Sequence, residues 1–398
     1  MSKSRYRQNS FKPKRVTNIT TLVLCCICFI SMFPLAGCWD IKNVQDINYI
    51  TAIGIDHVND KFVVYSQSLN FSNVAKQEGM RATSKTPEWI GRGEGFSLDA
   101  AVNDIYSASS LKILWEHTTA IILSEKALQQ NVNKMLDTLL RYYGIRYTPW
   151  VYGTKESLSD LFTVPIPFNM SPITSILHNP EDMFKQHSYI RPIQLHRMVV
   201  EMNEPGSTLL LPSMSVNHNH WQENEKKVGQ YKIDGAFALQ EGTYRNWFAM
   251  NHIHGIRWLS SKTVQTPLNI GRGEKPDAVL TMTTPKSNIA VTFRGLIPKF
   301  NVSIHVNGFV DEITGNLSEA EIISLAEQSI RDEVKKTFEQ GLRKKMDVFS
   351  FRNYVYRNHI NKWKREGNGK SIQLTPDSLD SLNVKVQIEH SGMNRLHR

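Results

Sequence analysis

"NLSEAEIISLAEQSIRDEVKKTFEQGLRKKM", residues 316–346, is a strongly marked helix and decides what the C-terminal half can be. Ser318 stands three residues before Glu321, so its hydroxyl can accept from the Glu321 N–H while the Glu321 side chain reaches back. Leu317 and Ile322 complete that start as a hydrophobic staple. Ile322, Leu325, Ile330, Val334 and Phe338 then recur along one face. The pattern predicts a helix from Ser318 to about Met346, roughly 40 Å long at 1.5 Å per residue. An apolar stripe of that length needs a surface to cover it, and the neighbouring sequence supplies strands. In "NVSIHVNGF", Val302, Ile304 and Val306 alternate with polar residues; in "LNVKVQIEH", Leu382, Val384, Val386 and Ile388 do the same. A long helix packed on a sheet with one wet face is an α+β arrangement.

The N-terminal half mixes the same elements. "INYITAIGID" and "FVVYSQSLN" are β-rich runs separated by Asn59-Asp60, a strand, turn and strand. Ser97 opens a helical pattern through Leu98, Ala101, Val102, Ile105 and Ala108, "TTAIILSE" reads as a buried strand, and Leu128, Val132, Met135, Leu136, Leu139, Leu140 and Tyr143 mark a further helix. Two breaks interrupt the pattern, the proline-rich "TVPIPFNMSP" at 163–172 and the polar "SVNHNHWQENEKK" at 215–227. They divide the chain into an N-terminal α+β domain, 38–165, a small middle domain or connector, 166–227, and a C-terminal α+β domain, 228–398. The pentapeptide "IGRGE" occurs at 90–94 and 270–274, too short a match to indicate duplication.

The first 37 residues read differently. Residues 1–15 carry six Lys and Arg and no acid, and 16–37 carry no charge, the layout of a secretory signal. Leu35-Ala36-Gly37-Cys38 resembles the bacterial lipobox, in which the cysteine thiol receives a diacylglyceryl group and the chain is cut just before it. Residues 1–37 are then a signal peptide and Cys38 a lipidation site. The alternative is an uncleaved transmembrane anchor, since about 20 apolar residues span a bilayer. Either way, the remainder lies outside the cytoplasm. Cys25, Cys26 and Cys28 leave with the leader, so the 361 residues from Cys38 onward have no disulfide to hold them and must rely on ordinary hydrophobic cores. The formal charge of +10 falls to about +4 once the leader's six cations are gone. That balance does not point to nucleic acid.

Few constellations suggest chemistry. "GRGEG" at 91–95 lacks the P-loop and dinucleotide spacings and reads as a flexible surface turn. His218 and His220, and His252 and His254, are His-x-His pairs that could offer nitrogens to zinc if they met; solvent-exposed pairs are the default. Neither Gly-x-Ser-x-Gly nor His-Glu-x-x-His occurs. No catalytic residue, cofactor site or metal site is singled out. Arg343-Lys344-Lys345 and Lys362-Trp363-Lys364-Arg365 are basic clusters that either face an anionic membrane, at about 1 kcal/mol per residue, or are solvated helix faces.

Taken in order, "GCWDIKNVQDINYITAIGID", "GFSLDAAVNDIYSASSLKILWEHTTAIILSEKAL", "LDTLLRYYGIRYTPWVYGTKESLSDLF", "DGAFALQEGTYRNWFAMNHIHGIRWL", "KKMDVFSFRNYVYRNHINKWK" and "LNVKVQIEHSGM" resemble the Ger(x)C spore germination lipoproteins over essentially the whole mature chain. Cys38 with Trp39-Asp40, His117, Arg141, Asp347 and Trp363 fall on positions of the family pattern. Arg352 stands where the family often has Gly, and Asn361 where Pro often precedes the Trp, which puts the turn geometry of 347–363 in question. The resemblance implies three α+β domains and a non-enzymatic, lipid-anchored receptor subunit. It implies assembly with two integral membrane subunits in the spore inner membrane. Two other readings of the sequence are a solute-binding lipoprotein of a transporter and an exported metal-dependent enzyme. The first normally shows two lobes of repeated βαβ units, whereas the pattern here is mixed.

Overall fold

The computed structural model describes residues 22–24, 26–27, 46–69, 88–141, 144–273, 275–295, 297–369 and 372–389. The chain divides into two compact units, Met1–Ile47 and Asn48–Arg398. In the first, 22–24 and 26–27 are helical and exposed; Cys38 and the rest of the expected leader lie outside the described residues. Among the described residues, no helix is long and apolar enough to cross a membrane.

The second unit contains a large sheet and a small one. The large sheet is built from β1 (Ile47–Val58), β2 (Lys61–Ser68), β3 (Trp89–Gly95), β4 (Lys112–Leu114), β5 (Ala120–Ser124), β6 (Trp150–Thr154), β7 (Ile193–Gln194), β8 (Thr208–Asn217), β11 (Gln230–Gln240) and β12 (Thr243–Ala249); β9 (Gln222–Glu223) and β10 (Lys226–Lys227) form a separate ribbon. Its order is β12-β11-β8-β6-β5-β1-β2-β3, with β4 on β1 and β7 on β6. The four central strands β8, β6, β5 and β1 are parallel, and antiparallel hairpins extend both sides. The expected segments 38–165, 166–227 and 228–398 all give strands to this one sheet.

A parallel centre must be covered on both faces, and residue parity along the strands does this. Ile53, Ile55, Ile121 and Leu123 meet helices α1 (Leu98–Ser107) and α3 (Val132–Arg141), which precede and follow the short α2 (Glu125–Leu128). Their neighbours Ala52, Ala120 and Ile122 face the opposite way, onto α4 (Leu158–Phe162) and Leu177. Two local signals hold where they were read: Ser97 Oγ accepts from Ala100 N at 3.1 Å to start α1, and Asn59 and Asp60, at φ 51° and 59°, turn β1 into β2; the helix expected from Leu128 is divided, Leu128 ending α2 and Val132 starting α3. Helices α5 (Glu181–Gln186), α6 (Leu195–Asn203) and α7 (Ile256–Leu259) lie between the strands in sequence.

The small sheet runs β13 (Gln265–Ile270), β14 (Ala278–Arg294), β15 (Ile297–Ile313), β16 (Leu379–Ile388) in that order. Helix α8 (Glu319–Arg343) lies on it, burying Ile322, Ala326, Ile330, Val334 and Phe338 in one core with Leu280, Met282, Ile304, Val306, Val384 and Val386. Ser318 and Glu321 form the reciprocal cap. The helix ends three residues before the expected Met346. Lys345 takes a left-handed φ of 56°, its N–H bonds Leu342 O at 2.9 Å, and Met346 N bonds Gly341 O at 2.8 Å. That is a Schellman stop, made without the glycine that usually signals it. Beyond it come α9 (Phe351–Asn358) and α10 (Ile360–Arg365). Phe248, Ala236 and Ala238 of the large sheet share a further core with Ile253, Met346 and Val348, joining the two layers.

Arg257 of α7 is the most consequential buried polar group. Its side chain is 2% exposed and pairs through one nitrogen with both carboxylate oxygens of Glu333 of α8, Nη2 lying 2.7 Å from Oε1 and 2.9 Å from Oε2. Nη1 donates to Thr266 Oγ1 on β13 at 2.9 Å, and Trp258 Nε1 donates to Glu333 Oε2 at 2.6 Å. Gly255 lets α7 approach this closely, because a Cβ there would stand 2.6 Å from Glu333 O. Removing one partner strands the other charge in the core, at a cost of about 3–5 kcal/mol. Glu333→Ala is therefore expected to lower the urea midpoint sharply, and the double variant Arg257→Met/Glu333→Leu to recover most of the loss. A single variant that unfolds with the parent would show that the pair is not a buried constraint.

Candidate functional site

The two stretches that interrupt the sequence pattern meet in space. The proline-rich turn contributes Phe168 and Met170, and the polar stretch contributes His220 and Trp221, to an open cleft of about 890 Å³ floored by Ile233 and Asp234 of β11. Phe168 is held at φ 60° with its ring 90% exposed, and Trp221 is 65% exposed. A left-handed backbone is costly for a residue of this size, and here it presents an aromatic ring to solvent. On the opposite wall Tyr189 stacks on His254, centroids 5.0 Å apart, while His187 meets Tyr189 edge-on at 4.6 Å. The Arg257 guanidinium lies 4.6 Å from the Tyr189 ring. Burial, reinforced by the Arg257 charge, holds both His187 and His254 below the usual imidazole range, so both are neutral at physiological pH. Asp234 Oδ1 and Ser175 Oγ are buried without a hydrogen-bond partner. The cleft thus offers aromatic faces and acceptors suited to recognition.

It draws one imidazole from each His-x-His pair, His220 and His254. His218 and His220 are exposed just past β8, and among the described residues no three His, Cys, Asp or Glu side chains gather as a metal site. The "GRGEG" stretch is not a surface turn: it lies in β3, and its glycines seat that strand on α1. A Cβ at Gly93 would stand 2.3 Å from Ala101 O, and one at Gly95 2.7 Å from Ala101 N. Cys38, Trp39 and Asp40 lie outside the described residues. His117 is exposed, edge-on to Tyr49 at 5.0 Å. Arg141 is an exposed partner of Asp137 at 2.9 Å.

Asp347 and Trp363 are structural. Asp347 accepts from Phe351 N at 3.0 Å and Arg352 N at 2.7 Å, capping α9. Arg352 fits where a glycine was expected because Nη2 reaches Gly369 O at 2.9 Å, and the guanidinium lies 5.9 Å from the buried Trp363 ring. Burial raises the Asp347 carboxyl to about 6, although its N–H donors and Arg352 pull the other way. A second buried group had no sequence signal. His178 Nδ1 lies 2.6 Å from Thr119 Oγ1, and Nε2 3.1 Å from Gln67 Oε1. Gln67 Nε2 donates to Phe162 O at 3.1 Å, so its Oε1 faces the ring and His178 Nε2 carries the proton. Burial holds this imidazole down at about 3.

Comparison with known proteins gives a consistent result. Residues 40–216 match the family described as spore germination protein N-terminal domain, and 234–392 match spore germination B3/GerAC like, C-terminal. The chain is 23% identical over 393 residues to spore germination protein KC of Bacillus subtilis (strain 168), covering 93% of this chain and 96% of that one. It is 22% identical to spore germination protein B3 of the same organism over 72% of this chain and 74% of the relative. The crystal structure of the GerBC protein superposes with a TM-score of 0.53 at 15% identity, covering 85% of this chain and 97% of that one. At that identity the likeness concerns the fold.

The Asp347 carboxyl supplies a pH test. Its folded value of about 6 lies above its ordinary 3.8, so the folded state holds this proton more tightly than the unfolded chain. Its contribution is present below pH 3.8 and is lost as pH rises through about 6, a change on the order of 3 kcal/mol. Asp347→Asn has no such proton. The parent's unfolding free energy minus the variant's is expected to fall by that amount between pH 4 and pH 7; a difference constant with pH would contradict the assignment.

Proposed function

Because the chain belongs to the GerAC-like family of spore germination proteins, we propose that it is the lipid-anchored subunit of a membrane receptor for germinants. It acts by assembly and signalling, with Cys38 as the lipid attachment site. One observation carries this reading: the family match begins at residue 40, two residues beyond Cys38, so all of the matched sequence follows the junction where a basic, acid-free start and an uncharged run give way to polar chain. A cut before Cys38 would release the matched region whole with the acylated residue at its new N-terminus. Two acyl chains hold a protein durably where one does not. The partners in this reading are two integral membrane subunits, and the location is the extracytoplasmic face of the spore inner membrane. The open cleft, with its two exposed aromatic rings, is a surface such an assembly could use.

Lipid labelling of the parent is expected to be positive, and Cys38→Ala to abolish it. Replacing residues 1–38 by a cleavable non-lipoprotein signal is expected to give a soluble exported protein with a weakened germination response. If the parent takes no label and Cys38→Ala fractionates and functions unchanged, the apolar run is an ordinary transmembrane anchor and the lipid-anchored reading fails.

A further inference from the structure

The end of the β14–β15 hairpin stands clear of its sheet. β13 pairs with β14 only at Ala278–Thr283, and β16 first meets β15 at Phe300, so among the described residues of the tip, 293–295 and Ile297, none has a flanking strand. Gly295, at φ 62°, has open space where a Cβ would be, and Ile297 is 42% exposed. Helix α10 closes against this tip. Lys362 Nζ donates to Gly295 O at 3.4 Å and lies 5.1 Å from the Phe293 centroid, and His359 meets Phe293 edge-on at 5.7 Å. Ile360, the first residue of the helix, is 40% exposed.

Charge on this surface is mainly positive; the acids beside it, Asp377 and Asp380, are exposed at the base of the hairpin, where Lys299 Nζ donates to Asp377 O at 2.6 Å and β16 begins. Residues 290–310 contain no Asp or Glu, and neither do 348–365; the fold brings these two acid-free stretches together here. Arg294, next to Gly295 in the tip, and Lys364 and Arg365 of α10 are exposed. Arg357 is already paired with Glu204, and Glu366, which follows α10, is buried.

We propose that the β14–β15 tip and helix α10 form a docking surface for an anionic lipid headgroup plane. The cations meet the surface potential, and Ile297 and Ile360 enter the headgroup–acyl boundary. A polynucleotide is the poorer fit, since the rings here are covered: Trp363 is only 4% exposed, and Phe293 is packed against Lys362 and His359. This contact does not depend on acylation of Cys38.

The test uses residues 39–398, which contain the whole compact unit Asn48–Arg398 with its own cores. Flotation with phosphatidylcholine vesicles is compared with flotation on vesicles that also contain phosphatidylglycerol. Binding is expected on the anionic vesicles and to weaken as salt rises. Arg294→Gln, Lys364→Gln and Arg365→Gln should each weaken partition about fivefold, and the triple variant on the order of a hundredfold. Ile297→Ser with Ile360→Ser should weaken it at every salt concentration. All these side chains are exposed, so the variants should melt with the parent. Equal binding to both vesicle types, absence of binding, or a triple variant that binds like the parent would overturn the proposal. So would capture by soluble heparin with none by anionic vesicles, which would assign the patch to a polyanion. Because Cys38 is absent from the tested protein, failure here leaves the lipid-anchor reading untouched, and the converse also holds.

Discussion

The Arg257–Glu333 pair is the constraint around which the C-terminal half is arranged. Taking two charges out of water costs several kcal/mol per ion and is recovered only with complete partnering. Here the partnering is nearly complete: Glu333 accepts from two residues of α7, and Arg257 also reaches Thr266 on β13 and lies near the Tyr189 and Trp258 rings, at 4.6 and 4.7 Å, leaving Nε as its one buried nitrogen without a partner. The short helix, the long helix and the first strand of the small sheet are thereby fixed to one point. The cleft inherits that fix. Tyr189 rests on Arg257, His254 stacks on Tyr189, and the same positive charge helps keep both cleft imidazoles neutral.

The two sheets are joined by more than one kind of contact. Besides the apolar core between β11, β12 and the turn after α8, the loop following α6 grips α9. Glu204 accepts from Arg357 Nε at 2.6 Å, Asn353 Nδ2 donates to Pro205 O at 3.0 Å, and Thr208 N donates to Ser350 Oγ at 3.0 Å. Asp347 caps the same helix from its other side, through the turn that follows α8. Helix α9 is therefore positioned by both layers at once, and α10, with the hairpin tip it supports, is positioned in turn by α9.

What the sequence disclosed was local. Ser97, Asn59-Asp60 and the Ser318–Glu321 box could be read because each acts within four residues. The apolar stripe of α8 was legible for the same reason. Pairings between distant strands were not: β8 joins β6 in parallel and β11 in antiparallel fashion, so what read as three segments shares one sheet. "GRGEG" misled because glycines that permit close strand–helix packing look the same in sequence as glycines that permit a turn. Helix α8 ran past its observed end because Lys345 adopts a backbone conformation more often given to glycine. The cleft left no trace, since its walls come from the stretches with the weakest periodicity, whose placement depends on the sheets they connect.

His178 and Asp347 give the two layers opposite responses to acid. His178, held at about 3 within the large sheet's polar core, is neutral when folded but takes a proton near pH 6.5 when unfolded. Its contribution is complete above pH 6.5 and is lost as pH falls toward 3. Asp347, at the junction with the C-terminal layer, has the reverse sign, because burial favours its protonated form. Between about pH 4 and pH 6 the two act against each other, so mild acid loosens the His178 network while relieving the buried charge at the junction. The global stability of the unit is then flatter with pH than either group would make it.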